Sequence, residues 1–145
     1  MTNIKRPKVG LGIILLDLVS SKVLLGKRKG SLEEGMWGFP GGHIEWFESF
    51  VECAAREMLE ETGLIEKEHY VFPNENPVFA TNDIFPEEKK HYITVYMRAH
   101  YYLGETEVKE PKKCEEWNWY NWKEMPEPIS TPVKNVIEAG YKPFE

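Results

Sequence analysis

The sequence predicts an α/β fold in which helices cover a mixed β-sheet. Three observations predict it: an apolar strand pair near the N-terminus, one long amphipathic helix in the middle, and three alternating, aromatic-rich stretches leading to a second, shorter helix. Strands and helices do not alternate in a strict βαβ rhythm, which argues against a doubly wound parallel sheet.

Residues 8–17, KVGLGIILLD, read as a buried strand, and 22–28, KVLLGKR, as its hairpin partner across the turn VSS. The loop KGSLEEGMWG leads to a short segment, FPGGHIEW. Phe50 to Thr62 is the strongest helix: Ser49 is its cap, Glu45 and Glu48 suit its positive entrance, and Gly63 is its stop. PVFATNDIF (77–85), HYITVYMRAHYYL (91–103) and EEWNWYNW (115–122) then alternate apolar and polar residues as strands do. A long polar loop, LGETEVKEPKKC, separates the last two. Residues 130–140, STPVKNVIEAG, carry a cap, an early proline and an apolar stripe, and read as a second helix.

With 145 residues, 41% of them hydrophobic, the chain is expected to form one domain spanning 1–145 with a real core. The formal net charge of -6 excludes a general grip on duplex nucleic acid or a membrane surface, since both need a basic face. A small polyanionic ligand is still compatible, because carboxylate-held divalent cations invert the local charge. Cys53 and Cys114 have no metal-type CxxC spacing and read as free thiols, Cys53 half-buried on the helix. The polar N-terminus and the lack of about 18 consecutive apolar residues point to a soluble, cytoplasmic protein.

The central helix crowds like charges. At 100° per residue, Glu57, Glu60 and Glu61 fall within an arc of about 100°, next to an apolar arc of Val51, Ala54, Ala55, Met58 and Leu59 that must face the core. Like charges four apart each cost about 0.2–0.5 kcal/mol on an isolated helix. Two readings follow: a solvated acidic face moderated by Arg56, or a carboxylate cluster relieved by a divalent cation. The preceding Gly41 and Gly42 favour the second, because glycines let backbone approach a ligand closely and can present a carbonyl oxygen to a hard cation such as Mg²⁺.

Gly42, five residues, Glu48, seven residues, and then Arg56-Glu57-Met58-x-Glu60-Glu61-x-Gly63-Leu64 match the Nudix box at all nine of its specified positions. The chain thus resembles the Nudix hydrolases, MutT-like members included. The likeness runs from about Arg6 to Phe144 through KVLLGKRKGS, FPGGHIEW, HYITV, EPKKCEEWNWYNWKEMPEP and GYKPF. Within the family it is similar to the diphosphatases of thiopurine and oxidised nucleotides, with their human and plant cytosolic members. The resemblance implies an α/β/α sandwich, a divalent cofactor (Mg²⁺, or Mn²⁺ in its place), hydrolysis of nucleoside diphosphates linked to another group, and a homodimer.

By position in that motif, Glu57 and Glu61 would be the principal metal ligands, with Glu60 and the carbonyl of Gly41 assisting. Arg56 would orient the carboxylates and Glu48 would support from the loop. The general base would be Glu110 in KEPKKCEEW, with Glu115 second and a box glutamate third. His43 and Thr94 match substrate-contacting positions, and Lys27 and Arg28 end a strand near the expected site. Trp117, Trp119, Tyr120 and Trp122 read mainly as core. Gly38 stands where the thiopurine-hydrolysing relative has Gln, and STPV replaces a bulky segment, so the base pocket is expected to be reshaped. Hydrolysis of nucleoside triphosphates to monophosphate and pyrophosphate is the first reading of function. A hydrolase of ADP-ribose, nucleotide sugars or prenyl diphosphates, or a non-catalytic ligand sensor, is the alternative.

Overall fold

The computed structural model describes residues 4–30 and 32–145, so Ser31 of the glycine-rich loop lies outside it. Its elements follow in the order β1 (Lys8–Asp17), β2 (Lys22–Arg28), β3 (Trp37–Gly38), β4 (Gly41–His43), α1 (Phe50–Thr62), β5 (Tyr70–Val71), β6 (Phe79–Phe85), β7 (Lys90–Tyr101), β8 (Cys114–Asn121) and α2 (Thr131–Glu138). The sheet is mixed. β1 runs parallel to β7 from Lys8–Tyr92 to Leu16–His100, whereas every other pairing is antiparallel.

Side-chain alternation along β1 builds the two faces. Leu11, Ile13 and Leu15 join Leu24, Met97 and Ala99 beneath Cys53, Ala54 and Met58 of α1. Ile14 and Leu16 join Val23, Leu25 and Tyr96 beneath Val133 and Val136 of α2. The result is a helix, a sheet and a helix in three layers, the expected sandwich. The tryptophan-rich strand is divided likewise, with Trp117 and Trp119 against the α1 layer and Tyr120 and Trp122 against the α2 layer.

The helix α1 begins with a full capping box: Ser49 Oγ accepts from Glu52 N–H, and Glu52 accepts from Ser49 N–H. It ends at Gly63, whose φ of 79° is left-handed and whose N–H donates to the Leu59 carbonyl. Two residues depart from their expected places. Cys53 is fully buried rather than half-buried, because it shares the inward face of Ala54 and Met58, and Leu59 is 47% exposed at the edge of the apolar arc. The short strand β5 has no counterpart in the sequence reading; two residues give too little alternation to see.

The hairpin β1–β2 forms the site by opening. Near its turn Leu16 pairs with Val23, but towards the other end the strands part, and residues 37–43 fill the gap, with Gly38 pairing to Gly26 and Gly41 to Gly12. This close approach fixes Gly41: a Cβ there would lie 2.1 Å from the Leu11 carbonyl oxygen. Gly10 is different, since its nearest contact would be Thr94 Oγ1 at 3.7 Å. Gly41→Ala is therefore expected to destabilise the fold by about 1–3 kcal/mol or more, as overpacking against backbone does, whereas Gly10→Ala stays within about 0.5 kcal/mol. Urea denaturation of the two variants measures the contrast.

Candidate active site

Arg56 projects from α1 back towards the loop that precedes it. Its Nε and Nη2 donate to the two carboxylate oxygens of Glu48 at 2.7 and 3.0 Å, a bidentate pair, and Nη2 also donates to the His43 carbonyl at 2.9 Å. Nη1 donates to Glu57 at 2.8 Å and reaches Glu60 at 3.3 Å. The hydrogen bonds from Arg56 hold the Glu48 carboxyl down at about 2, well below the usual carboxylate range. One guanidinium thus links the loop, the strand β4 and three glutamates.

Glu57 and Glu61 turn inward, one helical turn apart. Glu61 accepts from the Gly41 N–H at 3.0 Å, and the Glu57 carboxylate lies where a Cβ on Gly42 would be, 2.3 Å from such an atom. Burial raises the carboxyl pKa of Glu57, and raises that of Glu61 well above the ordinary value, against the lowering effect of the Gly41 N–H. Glu60 behaves differently. Its side chain is 48% exposed and meets Arg56 Nη1, which it shares with Glu57, from the solvent side. A helix places residues 57 and 61 on one line, and the sheet beneath decides which carboxylates are buried.

The polar loop after β7 completes this end. Its backbone donates from Glu107 and Lys109 to the carbonyls of Thr62 and Glu61, and Trp117 Nε1 donates to the Glu61 carbonyl, so the last turn of α1 is tied down. The loop carries Glu110 to the cavity wall, where Lys113 pairs with it at 3.6 Å. Glu115 points elsewhere, pairing with the exposed Lys27 at 3.6 Å.

These groups open onto one cavity of about 430 Å³. Of the residues singled out in the sequence, Arg28, Gly38, Gly41, His43, Glu57, Glu61, Thr94 and Glu110 line it, whereas Lys27, Glu48, Arg56, Glu60 and Glu115 do not. Arg28 Nε donates to the Leu32 carbonyl at 2.7 Å, and Leu32 and Glu33 join Arg28 on the cavity wall. The opposite end holds residues that sequence reasoning missed. Asp83 is fully buried and accepts from Thr94 and Thr81, Tyr92 packs edge-on against Phe85, and Tyr96 reaches Thr81 at 2.8 Å. The signal was present in FATNDIF, whose alternation puts Thr81 and Asp83 on the inward face with Phe85 while Ile84 faces out. Ser130 caps α2 by position only, because Glu33 takes over the role by accepting from the N–H and hydroxyl of Thr131.

The donor set fits a hard divalent cation. Two largely buried carboxylates lie beside close-approaching glycine backbone, and burial raises the pKa of both, that of Glu57 even with Arg56 beside it. Among the described residues no three Asp, Glu, His or Cys side chains form a metal cage on their own, so such a cation would draw its remaining ligands from water and phosphate. A carboxyl whose folded pKa lies above its unfolded value stabilises the fold below the unfolded value, and that contribution is lost as pH rises through the folded value. In EDTA at pH 8, Glu61→Gln is therefore expected to melt above wild type by about 2–6 °C, with the gap closing near pH 4. Adding Mg²⁺ should raise wild type and leave the variant nearly unmoved. Differential scanning fluorimetry reads both, and a variant melting below wild type in EDTA at pH 8 contradicts the assignment.

The comparisons with known proteins agree with this geometry. The family model described as NUDIX domain matches residues 6–139. The chain is 29% identical over 157 aligned positions to an RNA pyrophosphohydrolase of Caulobacter vibrioides, covering 97% of this chain and 86% of that protein. It is 42% identical over 59 residues to an m7GpppN-mRNA hydrolase of Danio rerio, a match over 39% of the chain that spans only 20% of that relative's length. The crystal structure of a MutT NUDIX hydrolase from Burkholderia pseudomallei superposes with a TM-score of 0.79 at 27% identity, covering 94% of this chain and 100% of that one. With its box complete from Gly42 to Leu64 and the family model matched over nearly the whole chain, the protein belongs to the NUDIX domain family.

Proposed function

We propose that the protein is an Mg²⁺-dependent nucleoside triphosphate pyrophosphohydrolase of the cytoplasm that releases nucleoside monophosphate and pyrophosphate and keeps the nucleotide pool free of modified bases, oxidised dGTP among them. The observation that carries this reading is the division of one cavity into two chemistries. Glu57, Glu61 and Glu110 sit at one end, Tyr92, Phe85, Thr94 and Tyr96 line the other, and the β1 segment Gly10-Leu11-Gly12 lies between them, pairing with β4 on one side and β7 on the other. The volume suits a nucleotide-sized ligand. The basic side chains of Arg28, Lys90 and Lys113 on its walls suit phosphate oxygens.

Hydrolysis of a phosphoanhydride adds a water oxygen to phosphorus and breaks the bridging P–O bond, so the catalyst must position the water, take its proton and neutralise charge on the phosphoryl oxygens. A bound Mg²⁺ would supply that neutralisation. Glu57 and Glu61 would hold it, their side chains oriented by Arg56 and by the Gly41 N–H. Glu110, on the cavity wall and free of the helix, is the residue we assign to accept the proton from water. Glu48 acts through Arg56, and Glu60, outside the cavity, contributes to the charge balance around the guanidinium rather than to substrate contact.

The reading extends to the subgroup that hydrolyses thiopurine and oxidised nucleotides, supported by Thr94 and His43 on the cavity wall. A second reading is favoured by the Caulobacter relative, whose name specifies RNA: removal of pyrophosphate from an RNA 5′ end. The acidic net charge of -6 weighs against it, since an RNA chain would meet like charge beyond its first nucleotide.

A panel of natural, oxidised and methylated nucleoside triphosphates, ADP-ribose, prenyl diphosphates and a 5′-triphosphorylated oligoribonucleotide, assayed with Mg²⁺ and product identification, separates these readings. Monophosphate and pyrophosphate from a free triphosphate are expected; turnover confined to the oligonucleotide or to ADP-ribose overturns the proposal. Glu57→Gln is expected to lower kcat by at least about 100-fold, and Glu110→Gln by a similar factor. Glu115→Gln, paired outside the cavity with Lys27, should stay within about twofold of wild type.

A further inference from the structure

The buried carboxylate of Asp83 is not part of the catalytic end, and its partners give it a definite chemical consequence. It lies on β6 directly across from β7, in the register that pairs Asp83 with Tyr92 and Thr81 with Thr94. Its Oδ2 accepts from Thr94 Oγ1 at 2.5 Å and from Thr81 Oγ1 at 3.1 Å, and its Oδ1 accepts from Asn135 Nδ2 of α2 at 2.8 Å. A carboxylate accepts hydrogen bonds and has none to give. Each hydroxyl directed at it therefore spends its single hydrogen there.

For Thr94, which lines the cavity, this fixes the direction of any further hydrogen bond. Its hydroxyl can no longer donate into the cavity; only its oxygen lone pairs face a ligand. Space in front of that oxygen is kept by Gly10, on which a Cβ would approach Thr94 Oγ1 to 3.7 Å. Thr81 also turns its hydrogen to Asp83, and the Tyr96 hydroxyl has the Thr81 oxygen at 2.8 Å and the Pro132 carbonyl at 3.5 Å to take its proton, so that proton is committed within the wall as well. Two of the hydroxyls at this end thus have their protons pinned inside the wall by one network.

We infer that Asp83 is a specificity-determining positioning residue: by fixing the Thr94 proton it leaves Thr94 Oγ1 an acceptor only towards the cavity, so that the enzyme selects nucleobases presenting an N–H to it. Guanine and hypoxanthine, which carry a ring N–H, satisfy the wall. An unsubstituted purine, which presents only a bare ring nitrogen, sets lone pair against lone pair. Sites built to pair with a ligand hydrogen reject analogues that lack it far more strongly than apolar pockets reject a change in size.

The inference rests on the triphosphate reading above and can fail separately from it. The test is Mg²⁺-dependent hydrolysis of dGTP, dITP and purine-2′-deoxyriboside triphosphate by wild type, Asp83→Asn and Thr94→Val. Wild type is expected to favour dGTP and dITP over the bare purine by at least about tenfold in kcat/KM. In Asp83→Asn the amide can donate to Thr94 and return the hydroxyl hydrogen to the cavity, so the ratio should contract to within about threefold. Thr94→Val removes the acceptor and should contract it too. A ratio taken within one variant does not depend on how much of that variant is folded, so a loss of stability alone leaves it unmoved. Triphosphate turnover with the ratio unchanged in both variants, or a wild type indifferent to the N–H, overturns the inference alone. Absence of turnover on all three triphosphates overturns the triphosphate reading and the inference with it.

Discussion

The carboxylate end of the cavity depends on the charge of Arg56. Its fork holds both oxygens of Glu48, one oxygen of Glu57 and the His43 carbonyl, so a loop, a two-glycine strand and a helix meet at a single cation. The planar guanidinium suits this role because its donors point in fixed directions, which a lysine ammonium could not reproduce. With Arg56 on its outer side, Glu57 faces inward against Gly42, and the Glu61 carboxylate accepts from the Gly41 N–H. Glu57 thus shares its one cation with Glu48 and Glu60, and Glu61, beside it, is held by a backbone N–H alone among the contacts described. That is an unfavourable arrangement in isolation and a suitable one for a site completed by a divalent ion and phosphate.

The sheet supplies the room. A hairpin that paired along its full length would close the space between β1 and β2. Here the strands separate, and residues 37–43 occupy the opening, held by Pro40 and Trp37 carbonyls that accept from Ile13 and Ser130. Glycine at 41 is required by a contact of 2.1 Å with the Leu11 carbonyl rather than by backbone dihedrals, and glycine at 42 leaves room for the Glu57 carboxylate. The parallel pairing of β1 with β7 sets Thr94 beside Gly10 and Tyr96 beside Gly12, which delivers the hydroxyl-bearing wall to the same floor.

Much of this was legible in the sequence because it is local. The hairpin and the bounds of α1 follow from periodicity and from Ser49 and Gly63, and the structure reproduces them residue for residue, while Glu52 completes a capping box that the reading did not name. What stayed hidden depends on contacts between distant residues. Helical spacing groups Glu57, Glu60 and Glu61 but does not tell which of them the sheet and Arg56 will separate. Cys53 looked half-buried until the layer beneath α1 was known. Asp83 reads as an ordinary strand polar residue until Thr94 and Asn135 are seen to converge on it from another strand and from a helix 52 positions away. Glu33, 98 positions from the Thr131 it caps, is of the same kind.

The separation of the two ends across β1 has a consequence for how such a protein can diverge. Among the described residues the Arg56 cluster shares no hydrogen bond with Asp83, Thr81 or Ser130, and the two groups are carried by different strands and loops. Changes that redraw the polar wall can accumulate in descendants while the carboxylate cluster around Arg56 is inherited intact. A gene duplicate of this chain has a short route to a new metabolite: it need only rewrite the hydroxyls and the one carboxylate that orders them.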